Sequence, residues 1–214
     1  MLRILIADDH EIVRRGVRVE LTQRSDWEIC GEAHNGSEAV RLARELKPDV
    51  VVMDHSMPEL NGVEATRYIR RELPGTEVLI FTMHEKEQVI REALAAGARG
   101  YVLKTDRDCH LVSAVAALAR HQSYFTDTIS KTLHDEFLRS GSRKNKSYGV
   151  ILTDREREIV QMLTEGRSNK EIAVRLQISI KTVETHRASA MRKLNMNSIV
   201  ALAHYAIRNQ IVEA

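Results

Sequence analysis

Aromatic residues are scarce, with phenylalanine, tryptophan and tyrosine making up 4% of the 214 residues. Leucine, isoleucine, valine and alanine must therefore fill the interior, and a hydrophobic content of 43% supplies enough for ordinary packed cores. Cysteine is nearly absent. Cys30 and Cys109 make no disulfide framework and fit small apolar side chains in a reducing compartment. No run approaches the roughly 18 apolar residues of a membrane helix. The opening segment MLRILIADDH is interrupted by Asp8 and Asp9, too early for the apolar stretch of a signal peptide. These absences argue against a disulfide-stapled module and a membrane partner. The length is about two domains' worth, and the scarcity of cysteine suits a reducing cytosol.

Charge is unevenly spread. Residues 1–122 hold 17 Lys/Arg against 20 Asp/Glu, whereas residues 151–214 hold 10 against 7. A basic C-terminal module suits a partner rich in phosphates, although the excess is small. Three segments follow from the patterning: a domain over 1–122, a linker over 123–150, and a second domain over 151–214.

In the first segment, short β-branched runs recur at Ile4–Ala7, Trp27–Ala33, Val50–Met53, Val78–Phe81 and Gly100–Leu103. Stretches of helical period separate them. Ile12, Val13, Val17 and Leu21 share one face, as do Ala39, Val40, Ala43 and Leu46; Val89, Ile90, Ala93 and Leu94; and Leu111, Val115 and Leu118. Val63, Thr66, Ile69 and Arg70 repeat the pattern more weakly. Pro48, Pro74 and Gly97 mark returns from helix to strand. The alternation predicts an α/β fold, a doubly wound parallel sheet of five strands with helices on both faces.

Open sheets of this kind place chemistry at the carboxyl ends of their strands. There the sequence puts Asp8 and Asp9, Asp54, Thr82 and Lys104. Three crowded carboxylates repel one another unless a cation joins them, and hard oxygen donors suit Mg²⁺. A carboxylate can also be a nucleophile toward phosphorus, with an ammonium and a hydroxyl to meet the phosphoryl oxygens. A lone strand-end aspartate is usually a cap or turn former. Five polar groups gathered at the ends of four of the five strands favour the chemical reading.

The linker holds a possible amphipathic helix over 125–138, with Ile129, Leu133 and Phe137 on one face. The basic, glycine-containing stretch SGSRKNKSYG follows at 140–149. It is a tether, to which Arg143, Lys144 and Lys146 would add phosphate contacts on a sharper reading.

Residues 151–214 are expected to be all helical. Thr153 with Glu156, and Ser168 with Glu171, form capping boxes, and Gly166 is placed to stop the first helix. Ser179 caps a third helix over about 181–194, and a last helix runs from about 199 to 208. Helix, tight turn and helix is helix-turn-helix geometry. On the third helix Val183, Ala190 and Leu194 point inward. Lys181, Thr185, Ala188 and Arg192 face out, with Glu184 beside them and Arg187 toward the apolar side. Small and polar residues flanked by cations suit entry into the major groove of double-stranded DNA. A small protein-interaction bundle would show the same pattern.

Two resemblances bear on these alternatives. ADDH at 7–10, MDHSMPELNG at 53–62, FTMH at 81–84 and GYVLK at 100–104 resemble the receiver domain of bacterial two-component response regulators. LTDREREIVQMLTEGRSNKEIAVRL from 152 and SIKTVETHRASAMRKL from 179 are similar to the LuxR-type helix-turn-helix. Joined, they are the pattern of the NarL/FixJ subfamily. The resemblance implies a flavodoxin-like receiver and a four-helix DNA-binding domain. It makes Asp54 the phosphoacceptor for a sensor histidine kinase. Asp8, Asp9, Asp54 and the Ser56 carbonyl would hold Mg²⁺, Thr82 and Lys104 would contact the phosphoryl group, and Thr82 with Tyr101 would form the switch. Bases would be read by Glu184, Thr185 and Ala188 on the helix from Lys181. Arg167, Lys170, Thr182, Arg187, Arg192 and Lys193 would meet DNA phosphates. Ile199, Val200, Ala203 and Ile207 would form a homodimer face. The chain would catalyse no reaction beyond its own phosphotransfer and dephosphorylation.

One departure stands out. The residue after Asp54, usually apolar in the family, is His55; it is expected to lie partly solvated in the loop, or to tune acyl-phosphate lifetime or metal affinity. Two rivals remain: a Mg²⁺-dependent phosphohydrolase, disfavoured because His55-Ser56 lacks a second acid two residues after Asp54, and a phosphorylation-independent DNA-binding protein or scaffold, disfavoured by the complete acid set.

Overall fold

The β-branched runs form strands β1 (Leu2–Ala7), β2 (Trp27–Ala33), β3 (Val50–Met53), β4 (Glu77–Thr82) and β5 (Gly100–Leu103). Helices α1 (Glu11–Leu21), α2 (Gly36–Leu46), α3 (Gly62–Glu72) and α4 (Glu87–Ala95) alternate with them, and α5 (Leu111–Leu118) follows β5. This is a computed structural model, describing residues 1–106, 110–131, 152–194, 196, 198–209 and 211–212. Every strand pairing is parallel, in the order β2-β1-β3-β4-β5-β6.

The sixth strand corrects the expectation of five. β6 (Tyr124–Phe125) pairs with Gly100 and Tyr101, and the Tyr124 N–H donates to the Arg99 carbonyl at 3.0 Å. It covers backbone groups that β5 would otherwise leave open at the sheet edge. Two residues are too few to show a period, so the pattern could not announce it. The sheet thus continues past residue 122, and Phe125 is strand rather than helix. Helical backbone begins at Asp127, with Ile129 buried. Cys109, Leu133, Phe137 and the stretch 140–149, including Arg143, Lys144 and Lys146, lie outside the described residues.

The sheet is buried on both faces. On one, Ile4, Ile6, Val50, Val52, Leu79, Phe81 and Val102 pack with Val17 and Leu21 of α1 and with Leu111, Val115 and Leu118 of α5. On the other, Leu5 meets Leu42 and Leu46 of α2 around Gly31, where an added Cβ would lie 2.7 Å from Leu46 Cδ1. Helix α1 departs from its expected face. Ile12 is 85% exposed, and Arg14 is buried in the stripe with Val17 and Leu21. The residues 14, 17 and 21 recur at the 3.6-residue period, so the helix rotates to present Arg14.

The chain divides into two compact units. Among the described residues the second comprises helices α6 (Asp154–Thr164), α7 (Asn169–Leu176), α8 (Ile180–Lys193) and α9 (Ile199–Arg208). Both capping boxes are present: Thr153 and Ser168 side chains accept from the N–H groups of Glu156 and Glu171, whose carboxylates accept in return. Ser179 and Ser198 cap α8 and α9. Gly166, with φ +86°, ends α6 in a left-handed conformation that glycine adopts freely. Ile159, Val160, Ile172, Val183, Ala190, Leu202 and Ala206 form the core. The Arg155 guanidinium donates to the Leu176 carbonyl at 3.1 Å, tying the start of α6 to the end of α7.

Candidate functional site

Parallel register brings the strand ends to one rim. Ala7 lies beside Met53, and Thr82 beside Leu103. The Asp54 N–H donates to the Ala7 carbonyl and the Lys104 N–H to the Thr82 carbonyl, both at 2.8 Å. The next side chains therefore converge. Lys104 Nζ lies 2.6 Å from Asp8 Oδ2 and 3.1 Å from Asp54 Oδ1. Asp8 and Asp54 are buried, and Asp9 is more open. Ligand atoms of Asp8, Asp9 and His10 lie within 4.8 Å of one another. His10 Nδ1 sits 2.7 Å from Asp9 Oδ1.

Burial pushes the Asp54 carboxyl up to about 6; Lys104 pulls it back, while Asp8 adds to the rise. Burial alone would lower the Lys104 ammonium, but Asp54 and Asp8 outweigh it and hold the ammonium raised. The pocket thus groups carboxylates around the Lys104 ammonium, a donor set of hard oxygens that fits a divalent ion.

Gly62 holds the loop after Asp54 in place. A Cβ there would lie 1.8 Å from the Asp54 carbonyl oxygen, so only glycine permits α3 to start so close to the acceptor strand. The Gly62 N–H donates to the His55 carbonyl at 2.8 Å, and the Asn61 side chain caps α3.

The remaining expected residues meet at His84. Its N–H donates to Thr82 Oγ1 at 3.4 Å, its carbonyl accepts from the Tyr101 hydroxyl at 2.7 Å, and its Nε2 lies 2.7 Å from Ser56 Oγ. Tyr101 is fully buried, and burial, then the charge of Asp54, raises its phenol. His55 is buried rather than partly solvated, and its ring packs edge-on against His84 at 4.9 Å.

In the second unit the outward face of α8 matches its expected members. Lys181, Glu184, Thr185, Ala188 and Arg192 are exposed, while Thr182 and Arg187 are half-buried. Lys170 is exposed and Arg167 half-buried. Lys193 differs: Nζ donates to Glu156 Oε2 at 2.6 Å, and Ser189 donates to Oε1 at 2.7 Å. Burial would raise Glu156, but Lys193, Ser189 and the Thr153 N–H outweigh it and hold the carboxyl at about 2. Lys193 follows Ser189 and Ala190 round the helix toward the core side, so it is engaged within the domain. On α9, Ile199, Val200 and Ile207 are exposed, and Ala203 is half-buried.

Residues 4–116 match the response regulator receiver domain, and residues 150–206 match the bacterial regulatory proteins of the luxR family. The chain belongs to the response-regulator family. It is similar to the transcriptional regulatory protein LiaR of Bacillus subtilis, at 38% identity over 99% of this chain and 100% of that protein. It is also similar to the oxygen regulatory protein NreC of Staphylococcus carnosus, at 37% identity over 99% and 100%. Among solved structures, RcsB of Salmonella enterica bound to promoter rprA with BeF3⁻ shares 30% identity. That match covers 95% of this chain and 97% of RcsB, with a TM-score of 0.63. This response regulator is therefore a DNA-binding transcription regulator of the two-component type.

Three contributors to the sites escaped sequence reasoning: Arg14, His84 and Glu156. Arg14 left a signal, an arginine in the apolar stripe of α1. Glu156 was legible only as a cap. Nothing local marked the His84 backbone as the meeting point of Thr82 and Tyr101. No helix among the described residues is long and apolar enough to cross a membrane.

Proposed function

We propose that Asp54 accepts a phosphoryl group from a sensor histidine kinase and that the modification governs DNA binding by the second unit. The observation that carries this is the placement of Lys104 between Asp54 and Asp8 on a buried rim. An Asp54 carboxylate oxygen attacks the phosphorus of a phosphohistidine. The P–N bond breaks, and its electron pair leaves on the imidazole nitrogen. Lys104 Nζ then meets the added charge, and the Thr82 hydroxyl donates to a phosphoryl oxygen. Asp8, Asp9, Asp54 and the Ser56 carbonyl would hold Mg²⁺. An ion held by them would supply positive charge to the crowded carboxylates and the phosphoryl oxygens.

The signal leaves through Thr82. Its Oγ1 now accepts from the His84 N–H, and the His84 carbonyl accepts from Tyr101. Drawing Thr82 to a phosphoryl oxygen removes that acceptor and frees the backbone that orients Tyr101. A near-complete switch needs about 5.5 kcal/mol of differential stabilisation. New charge-assisted bonds and homodimer formation through Ile199, Val200, Ala203 and Ile207 supply it.

On double-stranded DNA, α8 enters the major groove, with Glu184, Thr185 and Ala188 at base edges. Lys181, Thr182, Arg167, Lys170, Arg187 and Arg192 meet phosphates. Lys193 is left out because it serves Glu156. The protein acts in the cytoplasm, through a receiver over 1–122 extended by β6, a linker over 123–150 and a DNA-binding domain over 151–214.

A mobility-shift assay tests the reading. Wild type exposed to a phosphodonor with Mg²⁺ should bind paired half-sites more tightly than without it. Asp54→Asn should not respond. Equal binding by the two proteins after phosphodonor treatment refutes the role of Asp54.

A further inference from the structure

Arg14 is 5% exposed, in the stripe of α1 that packs on the sheet. A guanidinium there is expensive to bury unless its donors are used, and an aliphatic residue would pack as well. Its partners are specific. Nη1 donates to the Asp8 carbonyl at 2.9 Å, and Nε donates to Glu32 Oε2 at 3.3 Å. Glu32 lies on β2 beside Ile6 and also accepts from Arg18 Nε at 2.6 Å.

The Asp8 carbonyl lies just past Ala7, the last residue of β1 paired with its neighbours. It belongs to the peptide group that joins Asp8 to Asp9. The Asp8 N–H donates to the Ala33 carbonyl at 3.1 Å, and Asp8 Oδ1 accepts from the His10 N–H at 2.9 Å. With Arg14 on the carbonyl, Asp8 is tied on both sides of its Cα. The direction in which the chain presents Asp9 is fixed as well.

We infer that Arg14 is a positioning residue that sets the Asp8-Asp9 peptide for divalent-cation binding, and that Glu32 orients Arg14. The inference rests on the reading of Asp8 and Asp9 as cation ligands. Groups that orient metal ligands typically contribute about 10–100-fold to affinity. Arg14→Met keeps the bulk and removes the donors, Arg14→Lys keeps one donor, and Glu32→Gln leaves Arg14 without its carboxylate. Val17→Ala weakens the same helix packing without touching Asp8.

The test uses the full-length protein and Mn²⁺, with binding read from the electron paramagnetic resonance of the free ion. Stability is read in parallel, without metal, by urea denaturation followed through Trp27. Arg14→Met should weaken Mn²⁺ binding about tenfold or more, Glu32→Gln less, and Arg14→Lys least. Val17→Ala should lose stability and keep its affinity. If Arg14→Met does not fold, Glu32→Gln decides: wild-type affinity in that variant overturns the inference. So does wild-type affinity in Arg14→Met, or a loss in Val17→Ala that matches it. Asp9→Asn separates the two readings. Wild-type affinity there sinks the cation site itself, whereas lost affinity there with none lost in Arg14→Met sinks only the role of Arg14.

Discussion

Replacing Asp54 with asparagine should make the first unit more stable at neutral pH. Burial raises the carboxyl from 3.8 to about 6. In the unfolded chain the same group ionises near its ordinary value. Above pH 6 both states are ionised, and the folded state bears the whole penalty. Two pH units correspond to about 3 kcal/mol. Asparagine removes that penalty while Lys104 keeps Asp8 as a partner at 2.6 Å. The value of about 6 already includes the attraction of Lys104, so the gain should be about 3 kcal/mol. The sign follows from linkage: a raised acid pKa means that stability falls as pH rises from about 4 to about 6. The gap between variant and wild type should open over that window and stay level above it. Trp27 is the single tryptophan and lies buried on β2, so its fluorescence reports the first unit alone. Urea denaturation of the full chain between pH 4.5 and 8, without divalent ions, measures the gap. Either a variant less stable than wild type at pH 7.5 or a gap that does not change with pH refutes the reasoning.

Gly62→Ala should destabilise the first unit by about 3 kcal/mol, seen as a lower urea midpoint at Trp27, because its Cβ meets the Asp54 carbonyl at 1.8 Å. Lys104→Met should bind Mg²⁺ more tightly in calorimetry and label more slowly with a phosphodonor, because the ammonium now occupies Asp8 and Asp54. Glu156→Gln should cost the second unit about 2 kcal/mol at pH 7 in thermal melts. With the Glu156 carboxyl held at about 2, wild type keeps this contribution above about pH 4.5 and loses it as pH falls toward 2, closing the difference. Lys181→Ala and Arg192→Ala should each reduce the salt slope of DNA binding by about 0.9, whereas Lys193→Ala should leave the slope unchanged and lower the melting temperature.

What the sequence determined by itself was whatever repeats locally or caps locally. Recurring β-branched runs specified the parallel sheet because its inner strands β3, β4 and β5 are buried throughout. Serine and threonine caps specified α6, α7 and α8 because their hydrogen bonds span three residues. Strand ends specified Asp8, Asp54, Thr82 and Lys104 because parallel register carries them to one rim. Tertiary structure decided what depends on partners far apart in the chain. β6 is too short to have a period and exists because β5 leaves an edge to cover. Arg14 takes the inner face and Ile12 the outer because the guanidinium there meets the Asp8 carbonyl and Glu32 together. Lys193 turned inward because Glu156, 37 residues earlier, was waiting with a buried carboxylate. His55 is buried against the ring of His84, 29 residues later in the chain. In these cases a polar group, a ring or a backbone edge met its partner through space, which local periodicity does not encode.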